Sequence, residues 1–200
     1  MINDLMANYK TLFSPLRYPG SKRGLVDYII QALELNTLKP SIYIEPFIGG
    51  GSVAINLLNR NLVDKVLMID LDPWITSFWQ TVFFDTQWLI DQVKTMQVSM
   101  ENWCMYKKSK PITTRDQALT CFYLNRTSFS GILEERAGPI GGKGQKSDYP
   151  IDCRFTEITR KTIIDRIEKI SQYQRRIYGI WNCSWDNAIR KIQTDQNEGK

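Results

Sequence analysis

The chain has 200 residues, with 26 lysines and arginines against 21 aspartates and glutamates, a net charge of +5, and no histidine. Its four cysteines, Cys104, Cys121, Cys153 and Cys183, show no Cys-x-x-Cys spacing, so a cysteine–histidine zinc site and histidine-based acid–base catalysis are excluded. The positive surplus favours polyanions through counterion release, although a charge of this size is also ordinary for solubility. Met1 to Lys10 lack an apolar signal core, and no stretch reaches the roughly 18 apolar residues of a membrane span, so the cysteines read as reduced thiols in a cytoplasmic protein.

Taken in order, Leu16-Arg17-Tyr18-Pro19-Gly20-Ser21-Lys22 contains a Pro-Gly turn with Lys22 just inside a helix over about 22–35. Ile42, Tyr43 and Ile44 read as a buried parallel strand, followed by Glu45-Pro46-Phe47-Ile48-Gly49-Gly50-Gly51-Ser52 and a helix over 52–60 with Val53, Ala54, Leu57 and Leu58 on one face. Glycines 49 to 51 permit a sharp turn and a close approach of backbone to ligand, with the first helical N–H groups open to it. A second strand, Val66 to Ile69, leads to Asp70, which lies 19 residues after Gly51, about the spacing at which an acid meets ribose hydroxyls.

Two ligands compete for such a loop. Gly49, Gly51 and Ala54 fit the G-x-G-x-x-[G/A] pattern of dinucleotide binding, a common pattern by itself. Glu45 at the loop mouth repels a pyrophosphate and suits a cationic ligand instead; S-adenosylmethionine offers an amine, a sulfonium and a ribose. A tight turn with no ligand is the third reading.

Asp72-Pro73 forms a cap pair for a helix over 74–84, in which Trp74, Phe78, Trp79, Phe83 and Phe84 recur near helical spacing and read as core rather than as a base-stacking platform. Asp70 and Asp72 are too few ligands for a metal, and none is expected. Helices are predicted over 86–98, 116–125 and 156–173; Thr156 is the N-cap of the last, and Ile163, Ile164, Ile167 and Ile170 form its apolar face. Between them, residues 128–153 combine five glycines with Arg136, Lys143 and Lys146, which suits a phosphate backbone or a flexible surface loop. Ile177 to Trp181 reads as a third strand and Trp185 to Ile192 as a closing helix.

Three segments in order, Leu16 to Lys22, Glu45-Pro46-Phe47-x-Gly49-x-Gly51 and Tyr123-Leu124-Asn125-Arg126-Thr127-Ser128-Phe129-Ser130-Gly131, resemble the Dam-like adenine-specific DNA methyltransferases over residues 16 to about 186. The resemblance implies an incomplete doubly wound class I methyltransferase sheet with an inserted DNA-recognition region. It divides the chain into a first core part at 1–110, an insertion at 111–155 and a return to the core at 156–200. It implies S-adenosylmethionine as cofactor, held by Tyr18, Lys22, Glu45, Phe47, Gly49, Gly51 and Asp70, with Lys22 on the methionine carboxylate. It implies double-stranded DNA as partner, met by Arg17, Asn125, Arg126, Phe129, Ser130, Ile132, Lys143 and Lys146. Phe129 stands where an apolar wedge fills the gap left by a flipped adenine, although packing on the domain is the commoner fate of an aromatic. Glu134-Glu135 is an odd charge to hold near phosphate, and Ser184 stands where relatives carry an acid for the cofactor's adenine.

The family's Asp-Pro-Pro-Tyr motif does not occur, so no catalytic residue is assigned in this chain. The resemblance then implies an amino-terminal portion whose sheet keeps only strands in the order 3-2-1, with Ile42 to Ile44 as an edge. It also implies self-association or a second polypeptide that supplies the missing strands. A non-catalytic DNA-binding remnant is the alternative, and a dinucleotide-dependent oxidoreductase a more distant one.

Overall fold

The computed structural model describes residues 10–197 apart from Pro19, Thr37, Glu135 and Ser147. Pro19 of the first motif, Glu135, and Met1 to Tyr9 of the amino-terminal stretch therefore lie outside the described residues.

Three β-branched or aromatic runs pair as a parallel sheet in the order β1-β2-β3, where β1 is Ile42–Glu45, β2 is Lys65–Asp70 and β3 is Ile177–Asn182. Apolar side chains on both faces of β2 make it the central strand. Tyr43, Val66 and Met68 face the main core, while Leu67 and Ile69 face a smaller cluster with Ala188. Cross-strand partners share a face, so Ile42 and Ile44, aligned with Lys65 and Leu67, lie on the side of that smaller cluster. Nothing among the described residues covers them fully; they are 38% and 39% exposed, where Leu67 is 1% exposed. The expectation of a strand buried throughout is corrected accordingly: β1 is an edge, and only its inner face is sealed.

Eight α-helices surround the sheet among the described residues. A 3-10 turn, Lys22–Leu25, leads into α1, Val26–Leu35, so the helix expected from residue 22 begins with a tighter turn. The next three are α2, Ser52–Asn59; α3, Pro73–Phe84; and α4, Thr86–Thr95. Asp72 caps α3 by accepting the Trp74 N–H at 2.8 Å, with Pro73 at the first helical position. Phe78, Trp79 and Phe83 are buried as expected of core aromatics, whereas Phe84 is 57% exposed. Helix α5, Met100–Lys108, does not follow from apolar periodicity, since its only buried residue is Trp103. Its local signals are caps: the Ser99 side chain accepts the Asn102 N–H, and Lys107 and Lys108 sit in the last turn.

Helix α6, Thr114–Thr127, packs against α3, with Phe122 stacked on Phe78 at 6.1 Å. Helix α7, Glu157–Ser171, buries Ile163, Ile167 and Ile170, and the Thr156 side chain accepts the Thr159 N–H at 3.3 Å. Helix α8, Trp185–Asn197, places Ala188 on β2 and β3. Arginines tie off several chain ends: Arg160 donates to Val93 O and Met96 O after α4, and Arg176 to Leu58 O, Val63 O and Asp64 O after α2. Each satisfies terminal carbonyls that a helix leaves unpaired.

Candidate active site and nucleic-acid interface

The glycine run sits at the carboxyl end of β1, where an open parallel sheet presents its ligand crevice. Gly51 takes φ +64, and a Cβ there would stand 2.6 Å from the Trp79 ring, so only glycine lets the turn lie on this side chain. The Trp79 indole N–H donates to Gly49 O at 2.9 Å, and Gly49 N–H donates to Asp70 Oδ2 at 2.9 Å. Asp70 Oδ1 also accepts the Asp72 N–H at 3.0 Å. Asp70 thus fastens the turn to the end of β2 and is already engaged by two backbone groups.

Glu45 lies beneath the turn at 6% exposure, and its Oε2 accepts the Ala54 N–H of α2 at 3.0 Å. Burial raises its carboxyl to about 7, against the opposing pull of that N–H group and of the Lys22 ammonium. Tyr18 lies over the turn, with Ser21 Oγ 3.0 Å from Ser52 Oγ beside it. Together with Lys22 and Phe47 these residues line a narrow cleft of about 20 Å³. A larger cavity of about 580 Å³ opens on the other side of Tyr18, bounded by Asp72, Trp74, Gly131, Ile132 and Glu134. Burial, then Asp70 and Asp72, pushes the Tyr18 hydroxyl up, and burial foremost raises Asp72.

The second half of the site is a turn that joins α6 to the glycine-rich segment. Phe129, Ser130 and Gly131 form a 3-10 turn in which Ser130 has φ 54 and Gly131 φ +75. Phe129 N–H donates to Gly138 O at 2.9 Å and Ile140 N–H to Thr127 O at 2.8 Å, closing residues 128–139 with an antiparallel bridge between Ser128 and Pro139. Phe129 stands 68% exposed at the tip. The Gln145 side chain donates to Ile140 O and Gly142 O and accepts the Ile151 N–H, so the glycine-rich segment has an internal staple.

A model of the D12 class N6 adenine-specific DNA methyltransferase family matches residues 18–191. The chain belongs to this family. No curated protein matches it. Adenine methylation in DNA is the family's reaction, which makes DNA its substrate and requires a methyl donor.

As a member of this methyltransferase class, the chain brings Tyr18, Lys22, Glu45, Phe47, Gly49 and Gly51 together around one cleft, with Asp70 fastened behind the turn. Of the residues expected at DNA, Phe129, Ser130, Lys143 and Lys146 are exposed and Ile132 is partly so. Asn125 departs from that expectation. It is wholly buried, its Oδ1 accepts the Arg17 N–H at 2.7 Å, and its Nδ2 donates to Arg17 O and Gly131 O. Its side chain is therefore consumed in joining the first motif to the turn and presents nothing to DNA. Arg126 is also interior, at 6% exposure, with Nη2 donating to Arg154 O at 3.3 Å and Nε without a hydrogen-bond partner. Burial foremost, then Arg17, Arg166 and Arg154, lowers its guanidinium to about 10. Arg17 Nη1 is likewise buried without a hydrogen-bond partner.

Several contributors had no pattern to reveal them. Asn56 accepts the Leu12 N–H and donates to Leu12 O, which seats the segment leading to the first motif. Trp103 and Lys107 reach the turn from α5. No group of three or more potential metal ligands occurs among the described residues, and none of the described helices is long and apolar enough to cross a membrane.

Proposed function

We propose that S-adenosylmethionine is the methyl donor and that Tyr18, Lys22, Glu45, Phe47 and the glycine turn hold it, with duplex DNA meeting Phe129, Ser130, Ile132, Lys143 and Lys146. The observation that carries the donor reading is the opposed pair of charges in one cleft. Buried Glu45 suits the donor's amine, and Lys22 suits its carboxylate. The narrow cleft fits the amino-acid end alone, and the cavity beyond Tyr18 leaves room for the remainder. When bound, the donor supplies an electrophilic methyl group. The protein's part is to align an adenine amine with it and to place acceptors where positive charge develops.

Asp-Pro-Pro-Tyr, which supplies such acceptors in relatives, is absent from the sequence. The open edge of β1, with Ile42 and Ile44 uncovered, supports completion of the sheet by strands of a second polypeptide or a second copy. That same absence favours a second reading, a DNA-binding remnant without catalysis.

Calorimetry on the chain distinguishes them. S-adenosylmethionine or its demethylated product should bind, and Asp70→Ala should weaken binding by ~1–3 kcal/mol as the turn loses its anchor. Preferential binding of NAD would overturn the donor assignment, and a folded chain that binds neither would favour the remnant.

A further inference from the structure

We infer that Lys107 and Trp103 of α5 are positioning residues that hold the Phe129 turn in its DNA-facing shape, an inference that rests on the reading of that turn as the DNA contact. Helix α5 lies before residue 111, ahead of the expected recognition insertion, yet it grips the turn at both ends. Buried Trp103 donates its indole N–H to Ser128 Oγ at 3.2 Å, at the base of the turn. Lys107, one helical turn further on, donates from Nζ to Leu133 O at 3.3 Å and to Glu134 O, at the far end. The same ammonium lies 5.8 Å from the centre of the Trp103 ring. Residues i and i+4 share a helix face, so one face of α5 spans the whole turn.

Helix α5 is itself fixed against α6. Tyr106 stacks on Tyr123 at 4.4 Å, and the Tyr123 hydroxyl donates to Ser99 O and accepts the Ser99 N–H. On the opposite side Asn125 holds Gly131 O. Between these supports Ser130 is kept at positive φ, a conformation that a serine rarely holds unaided. The exposed Phe129 ring is thus carried on a backbone whose ordering cost is met within the fold before any DNA arrives. A lysine ammonium spent on two carbonyls of the turn acts by placing the wedge, and not by touching a phosphate itself.

The full chain tests this with Lys107→Met, Lys107→Arg and Phe129→Ala. In the free protein, amide exchange at Gly131 and Ile132 should rise at least ~10-fold in Lys107→Met and stay near wild type in Lys107→Arg. With short fluorescent duplexes carrying 2-aminopurine in varied sequence settings, Phe129→Ala should weaken binding and reduce the emission rise in the wild-type background. It should have little further effect in the Lys107→Met background, because the wedge is already misplaced. The slope of affinity against salt should be the same in Lys107→Met as in wild type. Unchanged exchange in Lys107→Met overturns the brace. Additive effects of the two substitutions, or a salt slope lower by about one, would make Lys107 an independent phosphate contact instead. If the wild-type chain gives no response to DNA, the DNA reading of the turn fails, while the exchange comparison still decides whether Lys107 holds it.

Discussion

Glu45 shows how a single side chain can tie ligand charge to pH. Its carboxyl is raised to about 7 by burial, well above the value near 4.3 of a free glutamate. In that window the folded chain carries a proton that the unfolded chain has released, so the contribution is full below about pH 4 and is lost as pH rises through about 7. Thermal melting should therefore show Glu45→Gln losing less stability than the parent between about pH 5 and 8, since the amide keeps an acceptor for the Ala54 N–H and does not ionise. A bound cationic amine reverses the preference for the neutral form. Calorimetry near about pH 6 in buffers of different ionisation enthalpy should then detect proton release on binding in the parent and not in Glu45→Gln.

At the scale of elements, Asn125 is the joint between α6, the first motif and the Phe129 turn. Asn125→Ala removes acceptor and donors from Arg17 N–H, Arg17 O and Gly131 O within a closed interior, and should cost ~2–4 kcal/mol in denaturant unfolding. Elements with local signatures could be read from the sequence: the strand-to-glycine turn, the Asp72-Pro73 cap and the isoleucine face of α7 each repeat over a few residues. The site's supports could not, because they join residues far apart in the chain. Asn125 reaches Arg17 across 108 positions and Asn56 reaches Leu12 across 44. A polar residue bound to distant backbone carries no periodicity, so Asn125 read as a DNA contact when it is a fastening. Helix α5 escaped for a related reason: with one buried side chain it has no apolar stripe, and its reason for folding lies in α6 and the turn.

Across the whole molecule, the sheet is finished on one side and open on the other. Helix α8 closes on Leu67 and Ile69, while Ile42 and Ile44 of β1 are left with solvent on that face. An exposed strand edge bearing isoleucines is a template for further pairing. Sedimentation of the purified chain should show self-association, and Ile44→Lys should shift it toward monomer. Co-expression with a polypeptide that carries Asp-Pro-Pro-Tyr should restore a single soluble species and methyl transfer together. Robust methylation by the isolated chain would refute the need for a partner. Much of the positive charge in the sequence is committed inside: Arg160, Arg166 and Arg176 serve backbone carbonyls, so the net charge of +5 overstates what faces a polyanion.

The contact between Trp79 and the glycine turn has an optical consequence. An indole sealed from water, whose N–H rests on the carbonyl of Gly49 and whose ring lies beneath Gly51, emits according to the position of that turn. Any molecule that lifts or presses the loop alters the field around the ring, so the protein carries its own fluorescent gauge of occupancy at the crevice.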